Sequence, residues 1–275
     1  MRARYGLRFA ALGYLTLLLV LPVGLVFFRT FQNGLEPVWN ALTDPDFLHA
    51  LWLTLLIALI AVPLNTIFGV ACALVLVRQR FRGKAVLNAF IDLPFALSPV
   101  VVGLALFLVY ARTGWFGPWL GAHGIQIVFA LPAMVLATIF VSLPFVVREV
   151  VPVLREIGTE QEEAAWTLGA SSLSTFRRIT LPAIRWGVTY GVVLTTARCL
   201  GEFGAVSVVS GNVIGKTQTL TLHVNNRFQA FDLVGAYTAS VVLAVLALMT
   251  LFLMNLFRKE TPRVDSGSAG DQALR

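Results

Sequence analysis

Long runs of apolar residues alternate with short polar breaks along this chain. Six runs reach about 20 residues or more, the length an α-helix needs to cross the roughly 30 Å hydrocarbon core of a bilayer. These runs cover residues 9–28, 51–77, 85–110, 126–147, 187–211 and 234–257. We therefore expect an all-α membrane protein with six transmembrane helices, formed by a single domain over residues 1–259.

The two ends of the chain need separate interpretation. Arg2, Arg4 and Arg8 precede the first apolar run, as in a secretory signal peptide. That run is long enough to span a bilayer and no small-residue cleavage site follows it, so we expect a retained first helix. Residues 260–275 are polar and contain glycine and serine, and we expect them to form a disordered cytoplasmic tail.

Basic residues fall mainly in alternate breaks between the apolar runs. One side of the predicted bundle collects most of the 21 Lys and Arg residues, whereas the other side holds only Arg29, Arg112, Lys216 and Arg227. Because Lys and Arg are retained in cytoplasmic loops, this asymmetry predicts an orientation with both termini in the cytoplasm.

Composition excludes several classes of protein. Hydrophobic residues make up 57% of the chain and charged residues 13%, against about 45–50% and about 25% in soluble domains. The net charge of +7 does not indicate nucleic-acid binding, because the basic residues lie in membrane breaks and not on one soluble face. Cys72 and Cys199 lie within apolar runs and the three histidines are isolated in predicted loops. The sequence therefore indicates no disulfide framework, metal site or cofactor in this chain.

The longest polar interval, residues 148–185, is predicted to be cytoplasmic and has the pattern of a helix–turn–helix. Thr159 and Glu162, three residues apart, predict a capping box at the start of its first helix. Gly169 suits the left-handed backbone conformation that ends a helix. Leu181-Pro182 predicts the end of the second helix, just before the fifth span.

The same interval carries a long spaced motif. Glu163-Ala164-Ala165 is followed after three residues by Gly169, after nine more by Ile179, and then by Leu181-Pro182. This spacing matches every position of the EAA-x3-G-x9-I-x-L-P signature and resembles the permease subunits of ATP-driven (ABC-type) importers. The resemblance implies a type I importer core, in which these residues form a coupling loop that docks on a separate ATP-binding subunit.

Two further segments narrow the resemblance. Residues 92–101 (DLPFALSPVV) and 201–211 (GEFGAVSVVSG) are similar to the sulfate/molybdate branch of these permeases, and most similar to its sulfate/thiosulfate permeases. The resemblance implies import of sulfate or thiosulfate across the cytoplasmic (inner) membrane of a prokaryote. Molybdate, or another oxyanion, is the alternative substrate.

The resemblance also implies partners. They are two ATP-binding subunits, an extracytoplasmic sulfate-binding protein and a second, homologous permease, in a heterodimer in preference to a homodimer. ATP and Mg²⁺ would then bind in the partner subunit. Residues 211–217 (GNVIGKT) come close to a phosphate-binding loop, but only three residues separate the glycines instead of four, and no strand precedes them. We interpret this near match as chance.

Two other classes of membrane protein fit the sequence less well. An intramembrane enzyme needs paired catalytic groups, but the chain has no H-E-x-x-H motif and Asp92 has no second aspartate beside it. We interpret Asp92 as an interfacial residue close to Lys84. A passive channel needs a selectivity filter of repeated carbonyls or rings of charged side chains, and the sequence shows neither pattern. We expect a transporter subunit and not an enzyme.

Arg198 and Glu202 are the ionisable residues deep in the fifth predicted span. They are four residues apart and therefore share one helix face. A buried arginine costs about 2.5–3.5 kcal/mol on membrane-insertion scales, so it should face other protein or a water-filled cavity. Two interpretations stay open. The pair could line the translocation path or its gate, where a guanidinium attracts an oxyanion, or it could serve structure alone.

Overall fold

The structure, a computed structural model, describes residues 8, 9 and 12–257. No strand occurs among these residues, and helices provide the regular structure. The all-α class is therefore confirmed. The tail predicted at residues 260–275 lies outside the described residues, as do most of the terminal basic residues that contribute to the predicted orientation.

The helices are numbered in chain order. They are α1 (Leu12–Phe31), α2 (Glu36–Leu42), α3 (Pro45–Arg78), α4 (Lys84–Ala96), α5 (Pro99–Tyr110), α6 (Gly117–Ala122), α7 (Leu131–Glu156), α8 (Glu160–Thr167), α9 (Ser172–Thr175), α10 (Leu181–Leu200), α11 (Gly204–Val209), α12 (Leu220–Gln229) and α13 (Leu233–Phe257). Two segments are π-helical, Thr16–Val20 within α1 and Phe176–Thr180 between α9 and α10.

Within the described part of the chain, α1, α3, α7 and α13 are each long and apolar enough to cross a membrane. The pair α4 and α5 also passes this test together, although the two helices are bent by 112° at the break between them. Helix α10 has 20 residues and is therefore about 30 Å long, but Arg185 and Arg198 make it less apolar than the others.

Two of the predicted spans are interrupted. The third, over residues 85–110, breaks at Leu97 and Ser98, which have extended backbone with ψ of 141° and 136°. Pro99 explains the break, because a proline disfavours helical backbone in the residue before it. The fifth, over residues 187–211, ends at Leu200, and α11 begins only at Gly204. The prediction of one continuous helix is wrong in both places.

Two other helices are longer than predicted. Helix α3 begins at Pro45, where the Asp44 side chain accepts a hydrogen bond of 2.8 Å from the backbone N–H of Asp46. Such a side-chain cap satisfies one of the free amides at a helix start. Helix α7 continues to Glu156, so the polar interval that was predicted from residue 148 begins inside a helix.

Helix α7 lies at the centre of the bundle and packs along both α3 and α10. Glycines allow these helices to approach closely. A Cβ atom at Gly191 of α10 would lie 2.8 Å from Cα of Val146, and one at Gly69 of α3 would lie 2.7 Å from its Cβ. Both helices therefore rest directly on Val146 of α7. Small residues of this kind are typical of helix contacts in membranes.

Candidate functional site

Residues 157–180, between α7 and α10, form the predicted helix–turn–helix, which we call the helix–turn–helix loop. Helix α8 ends at a turn in which Gly169 has φ of +83°, the left-handed conformation that the sequence predicts. The backbone N–H of Gly169 donates to the carbonyl of Trp166, and that of Ala170 donates to the carbonyl of Ala165, both at 3.0 Å. Ser171 then caps α9 by accepting from the N–H of Ser174 at 3.3 Å.

The residues of the spaced motif divide between the two arms of this loop and the first turn of α10, where Leu181 and Pro182 lie. Exposed are Glu163, Ala164, Gly169, Leu181 and Pro182, whereas Ala165 and Ile179 are half-buried. The first arm is α8 with its turn, and the second is the helical segment that leads into α10. The two arms contact each other. The structure thus brings the motif residues onto one compact, largely exposed unit.

Large apolar side chains are exposed at the end of the loop. Trp166 is 50% exposed, Leu168 88% and Leu173 67%. We call these three residues the apolar tip. Exposed apolar groups clustered among polar neighbours mark protein-binding surfaces.

The predicted capping box does not form. The Thr159 hydroxyl accepts from none of the free amides at the start of α8 and instead donates to Oε1 of Glu163 at 2.7 Å. Glu162 is buried instead, where its Oε1 accepts a hydrogen bond of 2.6 Å from the Thr180 hydroxyl. The competing interaction that draws Glu162 inward is an ion pair with an arginine of α3.

That arginine is Arg78, the last residue of α3. Its Nε lies 2.9 Å from Oε2 of Glu162. Its Nη1 donates to the carbonyl of Leu154 at 3.1 Å, and its Nη2 to the carbonyl of Gly158 at 2.7 Å. One guanidinium therefore joins the end of α3, the last turn of α7 and the start of α8. We call Arg78, Glu162 and Thr180 the loop anchor.

The sequence predicts that the second arm ends at Leu181-Pro182, but in the structure it continues past these residues. The segment Phe176–Thr180 is π-helical, and the backbone N–H of Leu181 donates to the carbonyl of Phe176. Helix α10 starts at once, with its proline in the first turn. A proline is tolerated there because the first amides of a helix have no partner within that helix. The loop therefore runs into α10 without a gap.

Arg198 and Glu202 form an ion pair, although Glu202 lies beyond the end of α10 and not on one helix face with Arg198 as the sequence predicts. Nη2 of Arg198 lies 2.9 Å from Oε2 of Glu202. The Arg198 side chain is 29% exposed and Glu202 is 3% exposed. Glu202 lies in the interruption after α10, where its Oε1 accepts a hydrogen bond of 2.8 Å from the N–H of Ala205 and caps α11. The glutamate therefore combines an ion pair with a helix cap.

The two interrupted spans meet beside this pair. A Cβ atom at Gly204 would lie 2.9 Å from Cβ of Pro99, and one at Gly103 would lie 2.6 Å from the carbonyl oxygen of Ala205. Helices α5 and α11 therefore pack closely, each starting next to the break in the other span. This arrangement places the Arg198–Glu202 pair at a junction of two discontinuous helices.

Sequence reasoning missed Arg78 and Arg148. Arg148 binds Asp92 through two of its nitrogens, with Nε at 2.8 Å from Oδ1, and donates to Oδ1 of Asn88 at 3.1 Å. Asp92 thus pairs with Arg148 and not with Lys84. The partners lie 84 and 56 residues apart in the chain for Arg78–Glu162 and Arg148–Asp92, so no local spacing signals either pair.

Other candidate groups carry no site in the described residues. No cluster of three His, Cys, Asp or Glu side chains there could hold a metal ion. Cys72 and Cys199 are buried free thiols. Predicted loop positions are wrong for His49 and His223, which lie in α3 and α12.

The near match to a phosphate loop at residues 211–217 folds on itself. The Thr217 hydroxyl donates to the carbonyl of Ser210 at 2.7 Å and accepts from the N–H of Val213 at 3.1 Å. This hydroxyl therefore serves the turn that contains it.

Residues 65–261, which include the loop, its anchor and both interrupted spans, match the family described as binding-protein-dependent transport system inner membrane component. The chain belongs to this family. It is 51% identical over 260 residues to the sulfate transport system permease protein CysW of Synechocystis sp., with 94% of each chain covered. It is 50% identical over 241 residues to the Escherichia coli protein of the same name, with 88% of this chain and 83% of the relative covered.

A second kind of relative is more distant. The chain is 38% identical over 253 residues to the sulfate transport system permease protein CysT of Salmonella typhimurium, with 92% and 91% of the two chains covered. These relatives are named as permease proteins, and the family is one of transport components. The expectation of a transporter subunit and not an enzyme is therefore confirmed.

Solved structures share the fold. A chain of a bacterial alginate ABC transporter, crystallised with an alginate pentasaccharide-bound periplasmic protein, matches with a TM-score of 0.78 at 17% identity, covering 94% of both chains. A chain of the MetNI methionine ABC transporter matches with a TM-score of 0.58 at 18% identity, covering 77% of this chain and 94% of that one. The chain therefore shares its fold with chains of ABC transporters.

Proposed function

We propose that this chain is the membrane subunit of an ATP-driven importer that carries sulfate or thiosulfate. The main support for this proposal is the 51% and 50% identity, over 94% and 88% of the chain, to proteins named as sulfate transport permeases. Molybdate is the less favoured substrate, because the relatives at this identity are named for sulfate.

Radiolabelled sulfate uptake tests the substrate. A bacterial strain without its own sulfate importers should regain uptake when it receives this chain together with its partner subunits, and unlabelled thiosulfate should compete. Uptake of molybdate at low concentration, with no uptake of sulfate, would exclude the proposed substrate and favour the alternative.

We further infer six crossings of the membrane, with both termini in the cytoplasm. The crossings are α1, α3, the bent pair α4–α5, α7, α10 and α13. Support comes from the apolar spans and from the basic residues at the ends of α3 and α7 and in the helix–turn–helix loop, which face one side under this assignment.

The partners proposed are two ATP-binding subunits, an extracytoplasmic sulfate-binding protein and a second permease chain. A heterodimer is favoured because Escherichia coli has two differently named sulfate permease proteins that resemble this chain, at 50% and 37% identity. The apolar tip of the helix–turn–helix loop supports docking on the ATP-binding subunit, because Leu168 and its neighbours are exposed although the loop itself is anchored.

Within the coupling loop, we assign contact with the ATP-binding subunit to the motif residues. They are Glu163, Ala164, Ala165, Gly169, Ile179, Leu181 and Pro182. The anchor of Arg78, Glu162 and Thr180 supports this role, because motion of the loop then moves the ends of α3 and α7 with it. Packed interfaces of this kind switch between arrangements and do not deform continuously.

We assign Arg198 and Glu202 to the translocation path or its gate. Partial exposure of a guanidinium within a spanning helix supports this assignment, as does its position where two interrupted spans meet. The guanidinium would attract a tetrahedral oxyanion. The glutamate beside it would weaken that attraction enough for the ion to leave, because a transport site must also release its ion.

Two charge-removing variants test the path. Glu202→Gln keeps an oxygen that can accept from the N–H of Ala205, so it should preserve the cap of α11 while it removes the charge. Arg198→Gln removes the cation. Both variants should lose sulfate uptake, with ATP hydrolysis still stimulated by the binding protein. Glu202→Gln should reach the membrane at normal levels, whereas Arg198→Gln should accumulate less because it leaves the buried Glu202 without a counter-charge. Normal sulfate uptake by both variants, or failure of both to accumulate in the membrane, would mean that the pair serves structure alone.

A further inference from the structure

A second cluster of basic side chains lies away from Arg198, around the start of α4. The groove there has a volume of about 530 Å³, and we call it the basic groove. Its lining residues are Leu76, Phe81, Arg82, Lys84, Ala85, Asn88, Arg148 and Arg155. They come from the end of α3, the α3–α4 connection, α4 and α7, so tertiary packing brings together cations that are far apart in the sequence.

The charge of this groove is largely uncompensated. Arg148 is paired with Asp92. Among the described residues, Arg82, Lys84 and Arg155 take part in no ion pair. Helix α4 also begins in the groove, at Lys84, and Gly83 before it offers no side chain to cap the free amides. A helix of 13 residues adds the positive end of its dipole to the three cations.

One apolar side chain at the groove is also exposed, that of Phe81. An acyl chain that packs against Phe81 would hold a charged headgroup next to the three cations. Basic pockets between spans bind anionic headgroups in this way.

We propose that the basic groove is a binding site for a tetrahedral oxyanion, and that the exposed Phe81 beside the cations favours the phosphate of an anionic lipid. Arg82 and Arg155 supply bidentate donors that suit phosphate oxygens, and Lys84 supplies a point charge. A free sulfate or phosphate ion has the same chemistry and could occupy the groove from solution. Binding in this groove does not depend on which substrate the transporter carries, because the residues that line the groove are brought together by the fold of this chain.

Two variants with equal net charge test the site in the intact transporter, purified with its partner subunits. The groove variant carries Arg82→Gln and Arg155→Gln. The control variant carries Arg80→Gln and Arg177→Gln, which removes two exposed basic residues that do not line the groove. A third variant, Arg82→Lys with Arg155→Lys, keeps the charge and should keep most of the binding.

Binding is measured in two arms. In the first, native mass spectrometry follows uptake of phosphatidylglycerol from mixed micelles, with phosphatidylcholine as the uncharged comparison. The groove variant should bind phosphatidylglycerol about tenfold more weakly or worse, and the control variant should bind like the unmodified transporter. In the second arm, calorimetric titration with sodium sulfate or phosphate is carried out in lipid-free, uncharged detergent.

The outcomes separate the two sources of the anion. Selective loss of phosphatidylglycerol binding in the groove variant identifies the lipid phosphate, whereas selective loss of saturable sulfate or phosphate binding identifies the free ion. The proposal is overturned if the groove and control variants behave alike in both arms, whether both bind or neither does. Binding of sulfate on the transport path leaves this comparison intact, because neither variant changes that path.

Discussion

Arg78 illustrates how one side chain can join three elements. Its guanidinium contacts the Glu162 carboxylate and the carbonyls of Leu154 and Gly158. Glu162 in turn accepts from Thr180 in the second arm of the loop. Because both charged partners are largely buried, removing one leaves the other without a counter-charge in a poorly solvated position.

We expect Arg78→Gln to destabilise the transporter by about 3 kcal/mol and to release the helix–turn–helix loop. Trypsin should then cleave faster at Arg177 and Arg178, and sulfate uptake should fall. Arg80→Gln, an exposed change two residues away, should alter stability by no more than about 0.5 kcal/mol. Adding Glu162→Gln should recover part of the lost stability, since no buried charge is then left unpaired. Additive effects of the two changes would contradict the anchor.

His223 is the residue whose titration should affect stability. Its ring is buried, lies edge-on to Phe47 at 6.0 Å between ring centroids, and its Nδ1 is 3.2 Å from Oε1 of Gln218. Burial and then the nearby charge of Arg227 lower its pKa below the ordinary value of 6.5. The carboxylates at Asp44, Asp46 and Asp232 act in the opposite direction with smaller effect.

The direction of the pH dependence follows from this lowered pKa. Below about pH 6.5 the unfolded chain takes up a proton at this histidine more readily than the folded chain does. The contribution to stability is therefore complete above that pH and is lost as the pH falls through the lowered pKa. We expect His223→Gln to flatten the decline in Tm between about pH 7 and 5. His123→Gln, which changes an exposed histidine, is the matched control. Identical curves for His223→Gln and the unmodified chain would refute the assignment.

At the scale of elements, the turn between α8 and α9 depends on Gly169. The space around this residue is open, since a Cβ atom there would meet nothing within 4 Å. The cost of a side chain therefore comes from the backbone, whose φ of +83° is unfavourable for most residues by about 1 kcal/mol or more.

Substitutions at this turn should rank by backbone preference and not by size. Gly169→Asn should keep most sulfate uptake, because asparagine adopts left-handed backbone readily. Gly169→Val should insert normally and lose uptake together with stimulated ATP hydrolysis. Gly121→Val tests bulk alone, since Gly121 also has open space around it but no positive φ. Equal uptake by the asparagine and valine variants would show that the conformation of this turn is not needed for coupling.

Features formed by residues close together in the chain could be predicted from the sequence, whereas contacts between residues far apart in the chain could not. The left-handed turn at Gly169 is local and was predicted correctly, and the Arg198–Glu202 ion pair joins residues only four apart. The pairing of Arg78 with Glu162 joins residues 84 apart and needed the packing of α3 against α7. The break at Ser98 had a local signal in the proline that follows, but the continuous apolar run concealed it.

At the scale of the whole molecule, the two ends of the bundle can be distinguished chemically. Trp115 in the α5–α6 connection is 89% exposed and Leu168 in the apolar tip is 88% exposed. Under the proposed topology they lie on opposite sides of the membrane. Cys72 and Cys199 are both buried, so the chain has little thiol background against which to label.

We expect a membrane-impermeant maleimide to label Trp115→Cys in intact cells. Leu168→Cys, in the chain produced without the ATP-binding subunit that would cover it, should react only after the membrane is permeabilised or inverted. The chain without an added cysteine serves as the control and should remain unlabelled in both preparations. Labelling of Leu168→Cys from outside intact cells would reverse the proposed orientation.

The meeting of two interrupted spans has a consequence for hydrogen exchange. Helices α5 and α11 start next to one another, and the first amides of a helix have no partner within that helix. Their protons should exchange with deuterium sooner than those in the middle of α7, which is continuous and buried on most sides. Fast uptake at Ser98, Val100, Val101, Phe203 and Gly204 would show that water reaches this junction, where unbroken helices would have kept these amides bonded.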